Sequence, residues 1–387
     1  MISLSNKNEE WQFKNMNKSS RIFYFSYPQS NIDAPHQAMA AIQLLREGFT
    51  LDYFCWGHGE PLLGLATDRY HEIKKDGICS AYKLFILLLK ELFFSKKYNV
   101  VYVQGAQQTP FLFWLPFLKK RYRIVYHTQD FLEPCRHRFY EFFERWFTRR
   151  AYRVICNESN RARFMKSYYN LETMPDVIQT ALPKEWPLPS WDDTLRAELL
   201  AFAEIDFQEG RLVAVGGGYS SVRCTEQLIE AMTLLPKNYR FIFTGLSSEG
   251  HEALQRHKVI NLAIILERLS FQKLLRHYAV CDAGLLLYAN DGIGNYYQAP
   301  GRLTEYMSVG LPFVASNFPN FELLSLKYNL GKVCNTEDPE DIARTIQEVC
   351  DVTVRERENN RNRLQELSRT VFSYEKNFSP LVEMLSE

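Results

Sequence analysis

The chain has 387 residues, 46% hydrophobic and 24% charged, with 46 basic side chains against 45 acidic ones. That length asks for two cores rather than one. The composition is that of a globular protein, and a formal net charge of +1 supplies no overall field to attract nucleic acid. The eight cysteines form no C-x-x-C pair, which reads as buried reduced thiols. Residues 1–20 are polar and lack an apolar signal-peptide core, and no run approaches about 18 apolar residues. The sequence therefore predicts a cytoplasmic protein.

After that tail, short apolar runs alternate with amphipathic stretches. Strands are predicted over 21–27, 50–56, 99–105, 123–127 and 153–157, and helices over 79–95, 109–119 and 136–151, with a further helix that Asp33 caps and Gly48 stops. Residues 186–207 are rich in Pro and Trp and read as a linker. The alternation then restarts. Strands are predicted over 211–217, 239–245, 261–267, 282–288 and 312–316, and helices over 225–235, 270–279, 301–309 and 339–350. Strands separated by helices mean parallel sheets covered on both faces. The fold class is thus α/β, with two Rossmann-like doubly wound domains at 21–185 and 208–370. A last helix over 371–387 is expected to cross back to the first domain. Ligands of such sheets bind outside the carboxyl ends of the strands.

Three segments at such ends carry chemistry. In APGRLTEYMSVGLPFVAS (299–316), a helix starts at Pro300 and Gly301. Its first N–H groups and its dipole suit a diphosphate. Leu303, Tyr306 and Met307 share an apolar face, while Arg302 and Glu305 fall elsewhere. The bland alternative makes Arg302 and Glu305 an exposed i, i+3 pair worth roughly 0.2–0.5 kcal/mol. In VAVGGGYSSVRCTEQLIEAM (213–232), Gly217 and Gly218 lie between a strand and a helix, with Arg223 just before the helix. The geometry is that of a phosphate cradle, although a glycine run can simply make the turn. In RIVYHTQDF (123–131), His127 ends a strand and Asp130 follows; a structural histidine and a capping aspartate are the alternatives.

The first of these segments resembles the donor-binding signature of the group-one glycosyltransferases (glycosyltransferase family four, GT-B fold) through Pro300, Arg302, Glu305, Tyr306, Met307, Gly310 and Pro312. The resemblance implies that Glu305 accepts hydrogen bonds from the nucleotide ribose. It also implies that His127 contacts the donor sugar across an interdomain cleft. Two positions depart from the family pattern. Tyr297 stands where a second glutamate usually holds the sugar, and Gly217 stands where an arginine is usual, with Arg223 in place of a lysine. No glycine pair occupies the loop of Asn31 and Asp33. What is implied is a glycosyltransferase with a UDP- or GDP-type sugar donor, no cofactor or metal, and retention of configuration. The acceptor would be a glycan or lipid-linked glycan, as in surface polysaccharide or glycolipid synthesis. An epimerase on the same fold and a degenerate, binding-only copy are the alternatives. The run FLFWLPFLKKRYR (111–123) is a core helix with a basic turn, or a contact with the inner face of a membrane through Lys119, Lys120, Arg121 and Arg123.

Overall fold

A computed structural model describes residues 21–27, 35–57, 69–73, 77–128, 137–184, 186–216 and 218–386. It holds two parallel sheets. The first contains β1 (Arg21–Ser26), β2 (Thr50–Trp56), β3 (Tyr70–Ile73), β4 (Val100–Gln104), β5 (Arg123–His127), β6 (Arg153–Cys156) and β7 (Asp176–Val177), in the order β3-β2-β1-β4-β5-β6-β7. The second contains β8 (Arg211–Val215), β9 (Tyr239–Thr244), β10 (Ala263–Leu266), β11 (Ala283–Leu286), β12 (Phe313–Ser316) and β13 (Gly331–Cys334), in the order β10-β9-β8-β11-β12-β13. The order reverses between β1 and β4 in one sheet and between β8 and β11 in the other. Those reversals are the switch points at which doubly wound sheets open a crevice for ligands.

The helices in the first half are α1 (Pro35–Arg46), α2 (Gly77–Leu89), α3 (Arg138–Thr148) and α4 (Ser159–Tyr168). Then come α5 (Asp193–Phe202), α6 (Thr225–Leu234), α7 (Ser248–Arg256), α8 (Phe271–Ala279), α9 (Ile293–Tyr296) and α10 (Gly301–Val309). The chain ends with α11 (Pro319–Tyr328), α12 (Pro339–Cys350), α13 (Val354–Thr370) and α14 (Tyr374–Ser386). By backbone contacts, the chain forms two compact units. One holds the described residues up to Thr128 together with Phe142–Val154 and the chain from Phe378 on; the other holds His137–Glu141 and Ile155–Asn377.

In the first unit, four tyrosines stack on one face of the sheet, one from each neighbouring strand. Tyr70, Tyr53, Tyr24 and Tyr102 are in register, with ring centroids 5.6, 5.1 and 4.7 Å apart along the row. Period-two alternation puts every second side chain on a given face, so four registered strands build a ladder. Also in this unit, the Met384 carbonyl of α14 accepts a hydrogen bond from Arg123 Nη1 at 2.9 Å.

In the second unit the same alternation supplies two cores. Leu212 and Ala214 of β8 face a layer with Leu275, Leu303 and Tyr306; Val213 and Val215 face a layer with Leu228, Met232 and Ile346. A strand covered on both faces reads as a continuous apolar run, as LVAV does. The 186–207 segment contains α5, whose Leu199 and Leu200 are buried in the first of these layers. Its Arg196 is buried as well. It donates to the carbonyls of Val280 and Gly210 at 2.7 Å each and pairs with buried Asp282 at 3.0 Å. The segment read as a linker is thus built into the second unit.

The helix expected over 109–119 is instead two 3₁₀ turns, Ala106–Leu112 and Leu115–Leu118. Pro110 and Pro116 each remove a backbone donor, which prevents one continuous helix. Among the described cysteines only Cys79 is exposed, and all are free; Cys135 lies outside the described residues.

Candidate functional site

The switch point between β8 and β11 gathers most of the sequence-predicted residues of the second unit. Helix α10 begins after Pro300, whose backbone is extended, and no side chain caps that start. The helix stops at Gly310, which takes φ +76°. That left-handed conformation costs a residue bearing a Cβ roughly 1–2 kcal/mol. A Cβ on Gly310 would also meet the backbone of Arg361 in α13. Leu303, Tyr306 and Met307 are buried against the sheet, as their spacing predicts. The Tyr306 ring lies flat on β11 because Gly284 carries no side chain there.

Arg302 and Glu305 are not an exposed pair. Glu305 is only 6% exposed. Burial raises its carboxyl pKa to about 7, against the pull of the Arg302 charge. The half-buried Arg302 side chain lies against Gly216 at the end of β8, where any Cβ would collide with it. The contact joins the helix start to the glycine loop. Gly218 has open space where a side chain would project, so packing within the protein does not require glycine there. Gly217 and Asp130 lie outside the described residues, as do Asn31 and Asp33.

Arg223 sits on a 3₁₀ turn (Ser221–Arg223) just before α6. Its guanidinium stacks over the ring of Tyr288, 4.2 Å from the centroid. Its Nη1 is buried, and among the described residues no group bonds to it. A buried donor left unbonded costs about 1–3 kcal/mol, so it calls for an explanation. Val222 accepts from the Ala289 N–H at 3.0 Å, which clips the turn to the loop after β11. Tyr288 is itself fixed, because Ser316 Oγ accepts from its N–H at 2.7 Å and donates to its carbonyl at 2.9 Å.

Tyr297 follows α9 and packs on Tyr296 with ring centroids 5.2 Å apart. A buried arginine holds its backbone. Arg161 of α4 donates Nε to the Tyr297 carbonyl at 2.6 Å and Nη2 to that of Gly294 at 2.9 Å, and Asn157 accepts from its Nη1 at 3.0 Å. Neither Tyr288 nor Arg161 was picked out by sequence reasoning. For Tyr288 a signal existed, an aromatic just past a strand's carboxyl end. Arg161 gave none, since the two carbonyls it holds, those of Tyr297 and Gly294, lie more than a hundred residues away.

In the first unit, His127 ends β5 and is 1% exposed. Its Nδ1 lies 2.8 Å from the Tyr102 hydroxyl. Burial lowers its pKa to about 3, so the imidazole is neutral at physiological pH. It is a hydrogen-bonding group rather than a proton store. Among the described residues, no three His, Cys, Asp or Glu side chains gather closely enough to hold a metal ion.

Residues 209–351 match the family model described as Glycosyl transferases group 1. No curated protein matches the sequence. Solved structures match nearly end to end. Anabaena HepE in complex with UDP aligns with a TM-score of 0.73 at 15% identity, covering 95% of this chain and 99% of that one. Sucrose-phosphate synthase from Thermosynechococcus elongatus aligns at 0.68 and 15% identity, over 94% and 98%. The lipopolysaccharide outer core galactosyltransferase WaaB aligns at 0.66 and 12% identity, over 94% and 99%. The chain therefore has the GT-B fold, and its residues 209–351 are similar to the group 1 glycosyltransferases.

Proposed function

We propose that the protein transfers a sugar from a nucleoside diphosphate sugar to an acceptor hydroxyl, with retention of configuration and without a divalent metal. One observation carries the reading. Two guanidinium groups and one buried carboxylate, carried by helix α10 and by the turn before α6, stand at the carboxyl ends of β8 and β11, and among the described residues Arg223 Nη1 is buried without a partner. A diphosphate at the start of α10 would meet the helix N–H groups, Arg302 and Arg223. Glu305, one turn into the helix, would accept from the ribose hydroxyls. When the bond from the anomeric carbon to the diphosphate oxygen breaks, charge grows on that oxygen, and the two arginines stabilise it. The acceptor oxygen takes its place on the same face and gives its proton to the departing phosphate. Neutral His127 would bind a sugar hydroxyl. HepE has been solved with UDP-glucose, which makes that donor the first to test. The acceptor we propose is a glycan or a lipid-linked glycan.

The test is release of nucleoside diphosphate from UDP- and GDP-sugars. Release should persist in excess EDTA. Activity lost on chelation and restored by manganese or magnesium would refute metal independence, and a shortfall of release with every donor would refute the transferase reading.

The Glu305 carboxyl adds a pH signature. The diphosphate of UDP-glucose is esterified at both ends and keeps a constant charge near neutrality. With a pKa of about 7, Glu305 is mostly protonated near pH 6 and mostly ionised near pH 8. Only the ionised form accepts from both ribose hydroxyls, so affinity should rise about tenfold across that interval. The stability of the free protein moves the other way. A carboxyl pKa raised by folding contributes stability that is full below the ordinary value of 4.5 and is lost as pH rises through about 7. Glu305→Gln should flatten both slopes. A wild-type affinity constant across the interval would contradict the assignment.

A further inference from the structure

The first unit carries an apolar, aromatic surface that no element among the described residues covers. Helix α2 buries Leu84 and Leu88 but turns Ile78 and Tyr82 outward, 89% and 66% exposed, and Phe94 beyond it is 78% exposed. Phe117 on the second 3₁₀ turn is 71% exposed. Ring contacts make these elements one surface. Phe85 of α2 stacks with Phe113, Phe113 meets Phe143 of α3, and Phe117 meets Trp146 of α3, with centroids 6.4, 6.2 and 5.8 Å apart. Exposed apolar area of this extent marks an interaction site.

Charge identifies the partner. The whole chain is balanced, 46 basic against 45 acidic. Residues 77–97, 111–123 and 142–150 together hold eleven basic side chains and only two acidic ones, Glu91 and Glu144. Only one of the two acids offsets this charge. Glu144 is fully buried and accepts from the Tyr126 hydroxyl at 2.6 Å, and Glu91 lies 3.8 Å from Lys97. Two of the arginines expected to face outward are committed elsewhere. Arg121 donates to the carbonyls of Phe93 and Ser95, and Arg123 to that of Met384. Lys83, Lys90, Lys119 and Lys120 remain exposed on or beside the same elements as these aromatics.

We infer that this face docks on an anionic phospholipid bilayer, with Ile78, Tyr82, Phe94 and Phe117 entering the headgroup boundary and the lysines facing lipid phosphates. A partly inserted apolar face with a cationic rim is the chemistry of an interfacial contact. Among the described residues no helix is long and apolar enough to cross a membrane, so the contact is a surface one. The inference stands independently of the proposed reaction.

Flotation of the full chain with vesicles tests it. At low salt the protein should float with phosphatidylcholine vesicles containing phosphatidylglycerol and stay behind with phosphatidylcholine alone, and added salt should release it. Lys119→Glu/Lys120→Glu should weaken the partition about tenfold or more. Phe94→Ser/Phe117→Ser should weaken it similarly. All four side chains are exposed, and matching melting curves would establish that the variants fold. Brominated lipid should quench Trp146 in the wild type. Absence of binding to anionic vesicles at low salt would overturn the inference. So would binding that both variant pairs leave unchanged, or light scattering that shows a dimer closed by this face and indifferent to vesicles.

Discussion

Glu305→Ala is expected to lower affinity for the nucleotide by about a hundredfold or more. Hydrogen bonds to a charged group contribute roughly 1.5–3 kcal/mol each, and one carboxylate can take both ribose hydroxyls. Losing two such bonds costs at least about 3 kcal/mol, and every 1.4 kcal/mol is tenfold. The position of the residue sharpens the expectation. A carboxyl only 6% exposed, with its pKa raised by burial, is held in an environment that disfavours its charge. An exposed i, i+3 partner of Arg302 would behave differently, and its loss would change neither binding nor stability measurably. Calorimetric titration of variant and wild type with UDP measures the difference.

Arg223→Ala should lower turnover by about a hundredfold to a thousandfold, the usual cost of removing one preorganised group that stabilises developing negative charge. Stability should hardly move. Truncation removes the stack on Tyr288, worth roughly 0.5–2 kcal/mol, but it also removes a buried Nη1 that has no bonding partner among the described residues. The two changes oppose each other. Turnover that falls steeply while the melting temperature stays within a few degrees identifies a group placed for the ligand rather than for the fold. Arg223→Lys should restore part of the rate, since an ammonium supplies charge without the planar fork. A variant that loses stability and turnover together would instead make Arg223 a structural pin.

The alternation of apolar runs and amphipathic stretches made the two sheets legible, because a buried parallel strand has few other ways to be written. Helix α10 was legible to the residue, since Gly310 leaves only one place for it to end. Several elements were not. Strands β3, β7 and β13 read YHEI, DV and GKVC, which lack the apolar run that marks a buried strand. Helix α13 carries only one fully buried residue, Leu364, so its apolar stripe is faint. Prolines 110 and 116 sit in a run apolar enough to suggest a helix that they themselves forbid. At the site, the residue types were legible but their environment was not. Spacing placed Glu305 away from the apolar face of its own helix, yet neighbouring elements bury it, and only the tertiary packing reveals that. The Arg161 clamp on Tyr297 is likewise a long-range arrangement.

The central claim is that the switch point between β8 and β11 holds the diphosphate of a sugar nucleotide. Its most direct test is calorimetric titration of the full chain with UDP, GDP and their sugar conjugates, repeated with the Glu305→Ala and Arg223→Ala variants. The account predicts one-to-one binding of at least one of these nucleotides, weakened about a hundredfold or more by Glu305→Ala and weakened also by Arg223→Ala. Wild-type affinity retained in both variants, or a wild type that binds none of these nucleotides, would contradict it.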